Sequence, residues 1–238
     1  MRKSTKYQIR ETIITVIADE AFHPVCLESI HKVRSDLEAF IVHDPFFKGT
    51  LEPYECPPDA PEVVRRMCVA TAKVGVGPMA AVAGTVACMA VEAMASAGAT
   101  YALVDNGGDI ALINDETVLV GIYAGESPIK GLALEVPPRA KILGICTSSA
   151  TVGPSISFGN SDAALIVSDD ASLADAAATA LGNGIIDEAS LATAFDFLKS
   201  VPEVTGAIGI IGDKMATYGR LPKIIRAHVD YEKITKGD

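Results

Sequence analysis

The sequence predicts a single α+β domain in which antiparallel or mixed sheets pack against helices, including one buried helix rich in alanine and glycine. Apolar residues recur at helical spacing in residues 27–42 and 61–73, and residues 78–98 are almost uncharged. Residues 100–168 instead divide into short apolar runs separated by glycine and proline. Helices and strands thus occur in blocks rather than in alternation, which favours α+β over a doubly wound sheet. No linker divides the chain, so we expect one domain over residues 1–238.

The first hundred residues are predicted to hold a hairpin and three helices. Apolar residues alternate within residues 1–17, which indicates the hairpin. The helices follow at 27–42, 61–73 and 78–98, with a proline-rich connector at 44–58 after the first. The third helix begins with a proline and ends near a glycine, and these residues are typical of those two positions.

The rest of the chain is predicted to contain mainly short strands, because its apolar runs are brief and bounded by turn residues. The predicted strands are 101–104, 109–113, 118–123, 131–136, 142–146, 163–167, 206–211 and 222–227. Two helices are predicted between the strands 163–167 and 206–211, at 173–181 and 188–200.

Charge and cysteine content argue against several classes of protein. The formal charge of −10 argues against nucleic-acid binding, which requires a basic face. Five cysteines at wide spacings, without a C-x-x-C pair, indicate reduced thiols rather than a disulfide framework or a zinc site. No apolar signal segment follows the first residues, so we expect a cytoplasmic protein. Residues 78–98 lack leucine, isoleucine and phenylalanine, so we expect a core helix rather than a membrane span.

A glycine turn between two apolar runs, Asp105-Asn106-Gly107-Gly108-Asp109, is the first candidate for a ligand site. Glycine tolerates positive φ and has no Cβ, so a ligand can approach the backbone closely there. A plain hairpin is the structural alternative, but a two-glycine turn does not require a flanking acid such as Asp109. On this pattern, Asn106, Gly107, Gly108 and Asp109 are candidate ligand-binding residues.

The second candidate is the pair Asp175 and Thr179, which lie four residues apart and so share one face of the predicted helix. A carboxylate and a hydroxyl so placed can hold a hard cation such as Mg²⁺. The structural alternative is a capping box in which Ser172 is the N-cap and Asp175 lies in the first turn. The two interpretations are compatible, because a carboxylate at a helix start can also face a cation.

Two further segments, one polar and one glycine-rich, contain candidate site residues. Cys146-Thr147-Ser148-Ser149 ends a predicted strand with one thiol and three hydroxyls, which can line a pocket. Cys146 is either a nucleophile or a buried inert thiol, and no histidine lies nearby in sequence to activate it. Gly75-x-Gly77-x-x-Ala80 matches the loose NAD-binding fingerprint, although a helix rather than a strand is predicted before it. Gly77 can also help bind a phosphate through free backbone N–H groups at the start of a helix.

These segments together resemble the ApbE-like superfamily, known for FAD:protein FMN transferases. The Asp105–Asp109 turn is similar to that family's glycine-glycine-aspartate hairpin. Ile145-Cys146-Thr147-Ser148-Ser149 resembles its Thr-Ser-Gly strand end, with Ser149 in place of glycine. The segment from Leu173 to Leu181 resembles its Ala-Asp-x-x-x-Thr helix, in which the aspartate and threonine help bind Mg²⁺ beside the FAD pyrophosphate. The resemblance implies an ApbE-like domain with Mg²⁺ at Asp175 and Thr179.

A sister family within this superfamily extends the resemblance over most of the chain. It carries a Gly-Pro-Met-Ala-Ala-Val-Ala-Gly helix, here residues 77–84, directly before an Asn-Gly-Gly-Asp hairpin. Its early Arg-x-Asp-Leu-Glu-x-x-Ile pattern resembles residues 34–41. Two features depart from the transferases. The segment that carries their His-x-x-x-Pro-x-Thr-Gly motif here reads Gly153-Pro154-Ser155-Ile156-Ser157-Phe158-Gly159, without a histidine. The Lys-Gly pair at the start of their long helix is also not kept beside Gly77-Pro78.

The resemblance implies a protein that binds FAD, FMN or another phosphate-bearing ligand with Mg²⁺, through Asn106 to Asp109, Thr147 to Ser149, and Gly77. Transfer of FMN or cleavage of the FAD pyrophosphate is the implied chemistry, although the interval that matches the transferase motif contains no histidine. One alternative is a non-catalytic accessory protein in sulfur assimilation towards homocysteine, in which Cys146 handles sulfur. Another is an NAD-binding enzyme. The small residues of the third helix also permit a homodimer.

Overall fold

An eight-stranded antiparallel sheet forms the centre of the molecule, with helices on one face and a three-stranded antiparallel sheet on the other. The computed structural model describes residues 1–10, 12–152 and 157–227. This arrangement confirms the α+β class and the antiparallel sheets predicted from the sequence.

The strands are β1 (Arg2–Ile9), β2 (Thr12–Asp19), β3 (Ala102–Asn106), β4 (Asp109–Asn114), β5 (Val118–Ile122), β6 (Leu132–Val136), β7 (Arg139–Ser148), β8 (Ala163–Ser168), β9 (Val204–Ile211), β10 (Lys214–Gly219) and β11 (Lys223–Arg226). The large sheet has the order β1-β2-β3-β4-β7-β8-β9-β10, and the small sheet has the order β11-β6-β5.

The α-helices of the described residues are α1 (His23–His43), α2 (Phe46–Gly49), α3 (Glu62–Ala72), α4 (Val82–Ser96) and α5 (Ala171–Gly184). A 3-10 turn, Pro78–Ala81, leads into α4. The three helices predicted in the first hundred residues are therefore confirmed, although the third begins with this tighter turn.

Alternation along the central strands divides the interior into two cores, because successive side chains of a strand point to opposite faces. On β3, Ala102 and Val104 pack with the helices, whereas Leu103 packs with the small sheet. β8 is buried along its whole length, as expected for a strand covered on both faces.

Helix α4 lies in the helix-side core and contacts α1, α5, β3 and β4. The stretch Pro78–Ser96 is long and apolar enough to span a membrane by length and composition, with a mean hydropathy of 1.6 in its most apolar window. Half of that window is buried inside the fold. Its small residues face other elements of the same chain, so the prediction of a buried alanine- and glycine-rich helix is confirmed.

Two predictions for the C-terminal third were wrong. Residues 188–200 do not form an α-helix; this region contains two 3-10 turns, Ser190–Ala192 and Asp196–Ser200. These short turns are enough to bury Leu191 and Leu198, so the apolar residues that suggested a helix reach the core without one. The sequence prediction also missed β10, whose burial alternates only between exposed and half-buried positions, as is usual for an edge strand.

Gly84 sets how closely α4 approaches α5. A Cβ at this position would lie 2.3 Å from the Ala171 carbonyl oxygen and 2.7 Å from Asp175 Cβ. No side chain fits at these distances without moving the backbone of α5. The two helices can therefore pack at this distance only with glycine at position 84.

We expect Gly84→Ala to lower the free energy of unfolding by about 1–3 kcal/mol or more, because the added methyl overpacks the α4–α5 contact. The matched control is Gly49→Ala, since a Cβ at Gly49 meets no atom within 4 Å. Urea unfolding of both variants measures the difference. Equal stability of the two variants would contradict the close contact.

Candidate functional site

The predicted glycine turn is a tight hairpin between β3 and β4. Gly107 and Gly108 have φ values of 71° and 102°, which side-chain-bearing residues rarely adopt. The Asp105 carboxylate accepts a hydrogen bond from the Gly108 N–H at 2.9 Å and so stabilises the turn. A Cβ at Gly107 would meet no atom within 4 Å, so this side of the turn is open.

Asn106 joins the hairpin to the start of α4. Its Nδ2 donates a hydrogen bond to the Ala83 carbonyl oxygen at 3.2 Å, and the residue is 8% exposed. The hairpin is thereby held against the first turn of the helix rather than projecting freely from the sheet.

Asp175 caps the N-terminus of α4 from the neighbouring helix. Its Oδ2 accepts a hydrogen bond from the Gly84 N–H at 2.8 Å, and the Ala83 N–H also interacts with this carboxylate. The N-cap residue of α4 is Ala81, which has no capping side chain. Asp175 therefore satisfies backbone donors that the helix's own sequence leaves unpaired.

Burial raises the pKa of Asp175 to about 7, against the lowering effect of the two backbone N–H groups. The ordinary value of 3.8 thus moves into the neutral range. Burial in a low-dielectric region disfavours the charged carboxylate, and two hydrogen bonds offset only part of that cost.

The predicted capping box at Ser172 was wrong. The N-cap of α5 is Asp170, whose side chain accepts hydrogen bonds from the Ser172 and Leu173 N–H groups at 2.9 and 3.3 Å. Asp175 lies one turn further into the helix and faces α4. The sequence pattern located a helix start here correctly but assigned the cap to the wrong side chain.

Asp109 is the second carboxylate of the site and lies directly opposite Cys146 in the β4–β7 register. Its Oδ1 is buried and has no hydrogen-bond partner within the described part of the chain. Burial, and then the charges of Asp175 and Asp105, raise the pKa of Asp109 well above its ordinary value. The Cys146 thiol and the Thr147 N–H interact with the carboxylate and partly oppose this rise.

Cys146 is completely buried, and its sulfur donates a hydrogen bond to the Ala171 carbonyl oxygen at 3.5 Å. Burial and the nearby Asp109 carboxylate raise the pKa of the thiol well above its ordinary value. The thiolate is the reactive form of cysteine, so these surroundings favour the inert interpretation over a nucleophile.

The three hydroxyl residues after Cys146 have different surroundings. Thr147 and Ser148 are half-buried at the end of β7. Ser149 is 7% exposed, and its Oγ accepts hydrogen bonds from the Thr151 and Val152 N–H groups at 3.1 and 3.0 Å. Ser149 thus closes the turn that follows the strand. Residues 153–156, in the interval that lacks the transferase histidine, lie outside the described residues.

Gly77 lies just before the 3-10 turn that leads into α4, and one side of it is occupied by the chain itself. A Cβ there would lie 2.1 Å from the Thr50 carbonyl oxygen, so the connector packs directly on this glycine. Helix α3 ends at Ala72, three residues before Gly75. The NAD fingerprint requires a strand at that position, so the dinucleotide interpretation was wrong.

The structure therefore brings together Asn106, Asp109, Thr147 and Asp175 around the first turn of α4. Thr179 is half-buried one turn beyond Asp175 on the same helix. In residues 1–10, 12–152 and 157–227, no group of three or more histidine, cysteine, aspartate or glutamate side chains is arranged to hold a metal ion. Any cation here would depend on fewer protein carboxylates and on oxygens from another source.

The sequence pattern did not identify Asp170 as a cap, and it indicated Gly84 only as one of several small residues that permit close helix packing within or between subunits. A second glycine seven residues after Gly77, inside a helical run, was the available signal for a close helix contact. The link between Asp175 and the start of α4 spans 91 residues, so no local pattern could have revealed it.

Sequence comparisons match most or all of this chain to known proteins. The family model AbpE_bact, described as AbpE bacteria, matches residues 2–195. A UPF0280 protein of Methanocella arvoryzae is 83% identical over 238 residues, which cover all of this chain and 97% of that protein. A UPF0280 protein of Methanosarcina acetivorans is 58% identical over 232 residues, covering 97% of this chain and 92% of that protein.

Two solved structures have a similar fold. The apo form of the flavinyl transferase ApbE from Pseudomonas stutzeri aligns with a TM-score of 0.57 and 12% identity, covering 94% of this chain and 95% of that one. A mutant of the flavin transferase ApbE from Vibrio cholerae aligns with a TM-score of 0.53 and 12% identity, covering 92% and 97%. At this identity the likeness shows a shared fold and no more.

Asp175→Asn should change stability in a pH-dependent way. A carboxyl whose folded-state pKa is raised contributes stability that is present below its unfolded pKa of 3.8 and is lost as the pH rises through about 7. Asparagine still accepts the Gly84 N–H but does not titrate. Relative to the variant, the wild type should therefore lose up to about 4 kcal/mol between pH 4 and pH 8.

Urea unfolding at several pH values measures this difference. Thr179→Ser on the same helix introduces no titrating group, so its effect on stability should stay constant with pH. A constant difference between the wild type and Asp175→Asn would contradict the raised pKa.

Proposed function

Since the chain belongs to the AbpE bacteria family, we propose that it binds a flavin nucleotide or another phosphate-bearing ligand together with Mg²⁺ beside the first turn of α4. The observation that carries this proposal is the buried Asp109 Oδ1, which lacks a hydrogen-bond partner within the described residues and lies near Asp175. A buried polar atom without a partner is costly, and a bound cation would satisfy it.

The donor set suits Mg²⁺ only when a ligand is present. Mg²⁺ is commonly held by one or two carboxylates together with waters and substrate phosphates, at octahedral geometry. Asp109 and Asp175 supply two carboxylates of the required type. Thr179, predicted from the family resemblance to join them, would add a hydroxyl oxygen, and the phosphate oxygens of the ligand would complete the shell.

The surrounding residues suit a phosphate group. The open side of Gly107 allows close approach to the backbone at the hairpin turn. The half-buried hydroxyls of Thr147 and Ser148 end the adjacent strand and can donate hydrogen bonds to phosphate oxygens. We infer that Asn106 and Ser149 act mainly by holding these segments in place, because their side chains bond to the protein backbone.

Phosphate chemistry at this site would rely on positioning and charge. When bound, Mg²⁺ supplies positive charge that stabilises a pyrophosphate undergoing cleavage. The three described histidines, His23, His31 and His43, all lie in α1 and not in the elements that form the site. We therefore propose ligand binding as the function, and FMN transfer or FAD cleavage as the activity to be tested.

The sulfur-assimilation role is not favoured by a specific observation. It would require a thiol that a small sulfur compound can reach, whereas Cys146 is buried and its pKa is raised. The five cysteines are free thiols, which supports the proposal of a cytoplasmic location. The homodimer was predicted from the small residues of α4. In the structure these residues pack against other elements of the same chain, so the homodimer stays a prediction.

Isothermal titration of the protein with FAD in the presence of Mg²⁺ or EDTA tests the proposal. We expect Mg²⁺-dependent binding that Asp175→Asn weakens by about 10- to 100-fold, because a carboxylate near the cation is lost. The matched control is Asp213→Asn, whose side chain is 65% exposed on the surface. Chromatography of the mixtures for FMN and AMP shows whether the bound FAD is also cleaved.

FAD affinity that is unchanged by EDTA and by Asp175→Asn, with both proteins folded, would overturn the proposal. Binding of adenosine diphosphate with the same Mg²⁺ dependence would support a phosphate site that does not discriminate for the flavin.

Mg²⁺ alone should bind weakly. Because the protein supplies only two carboxylates to a six-coordinate ion, millimolar Mg²⁺ should not raise the melting temperature unless FAD or another phosphate ligand is added. Thermal unfolding with Mg²⁺, with FAD and with both measures this. A large shift with Mg²⁺ alone would indicate a complete metal site formed by the protein.

A further inference from the structure

Hydrogen bonds hold the short segment 157–160 against the C-terminal end of α5. The Phe158 N–H donates a hydrogen bond to the Asn183 side-chain oxygen at 2.9 Å. Two residues further along, the Asn160 side-chain amide donates a hydrogen bond to the Ile186 carbonyl oxygen at 2.8 Å. The backbone that carries Phe158 is therefore fixed to the end of the helix.

The same segment lies close to the strand end that carries the hydroxyl residues of the candidate site. A Cβ on Gly159 would lie 2.0 Å from the Gly182 carbonyl oxygen, so the segment packs directly on the last turn of α5. A Cβ on Gly182 would in turn lie 3.4 Å from Ser148 Oγ. Gly182 thus separates segment 157–160 from Ser148 by the width of one backbone.

The side chain of Phe158 is exposed although its backbone is fixed. The residue is 63% exposed, and Ile186, whose carbonyl accepts the Asn160 hydrogen bond, is 57% exposed. These two residues leave an apolar surface that a ligand can cover, and covering it would be favourable. A ring on a fixed backbone also loses little conformational freedom when it binds.

A line of polar side chains on α5 connects this segment with the proposed cation site. After Ser172 in its first turn, the polar side chains of α5 are Asp175, Thr179 and Asn183, and the other residues are alanine, leucine and glycine. The spacing of four residues places these three along one side of the helix. From Asp175 to Asn183 the line is about 12 Å long. Phe158 is bonded to its far end.

We propose that Phe158 stacks on the planar ring of the ligand whose phosphates bind near Asp109 and Asp175. The sugar of a nucleotide separates its ring from its phosphates. A ligand that begins near Asp175 and follows the polar line therefore brings its ring to Phe158. A ring stacked on phenylalanine gains dispersion and apolar burial whatever its hydrogen-bonding edge.

This inference rests on the proposed function and narrows its ligand class. It selects phosphate compounds that carry a planar heteroaromatic ring, which include flavins and other nucleotides. Pyrophosphate and sugar phosphates have no ring to stack, so they would bind through the phosphate contacts alone.

Isothermal titration with FAD and with inorganic pyrophosphate, both with Mg²⁺, tests the inference. Phe158→Ala should weaken FAD binding by about 5- to 150-fold, the effect of losing one stacked ring, and should leave the affinity for pyrophosphate unchanged. Phe158→Tyr keeps the ring and should keep the affinity for FAD. The matched control is Leu119→Ala, which removes an exposed apolar side chain from the small sheet and should change neither affinity.

The chain contains no tryptophan, so Phe158→Trp gives a second readout. FAD that stacks on the new indole should quench its fluorescence strongly when Mg²⁺ is present, whereas pyrophosphate should not. Leu119→Trp is the control for quenching without contact and should respond less to FAD.

A Phe158→Ala variant that binds FAD as the wild type does, or that loses equal affinity for FAD and pyrophosphate, would overturn the inference. Wild-type protein that binds pyrophosphate but not FAD would also overturn it, although the phosphate site of the proposed function would stand. Wild-type protein that binds neither would overturn the proposed function and this inference with it. If pyrophosphate binds too weakly to measure, the FAD affinities of Phe158→Ala and Phe158→Tyr decide the matter.

Discussion

The structure depends on one buried interaction, the hydrogen bonding of the Asp175 carboxylate to the N-terminal turn of α4. Helix α4 has no capping side chain of its own, and the N–H groups of Ala83 and Gly84 in its first turn are directed to this carboxylate of the neighbouring helix. Asp175 supplies the hydrogen-bond acceptor. Because Gly84 has no side chain, α5 lies close enough to α4 for the Asp175 carboxylate to reach the Gly84 N–H. The orientation of the two helices is thereby coupled to a single charged side chain.

The same contact positions the candidate site. Asn106 bonds to the carbonyl of Ala83, whose N–H interacts with Asp175, so the glycine hairpin and α5 are joined through one residue of α4. Because Asp109 begins β4 directly after that hairpin, its carboxylate is brought near Asp175. Two carboxylates so placed repel each other when both are charged, and burial raises the free-energy cost of charging them. A bound cation would lower that cost. A site whose ligands also hold the fold together is rigid before any ligand arrives.

Burial decides the chemistry of Cys146. This residue lies opposite Asp109 in the β4–β7 register, yet the fold encloses its sulfur completely. Burial, and then the charges of Asp109 and Asp175, raise the pKa of its thiol. The thiolate is the reactive form of cysteine, so Cys146 acts here as a packing residue and not as a nucleophile.

The sequence by itself determined the α+β class, the opening hairpin, α1, α3, the apolar helix and the glycine turn, because each depends on periodicity or turn chemistry within a short segment. It also placed Asp109, Thr147 and Asp175 on elements that the structure brings together, through their resemblance to a family. It misjudged residues 188–200 and missed β10, where burial is partial and tertiary contacts override a weak local pattern. Only the tertiary structure decided that Asp170 caps α5 and that Asp175 caps α4. The α4 cap joins residues far apart in the chain, and its hydrogen bonds exist only when both helices are packed.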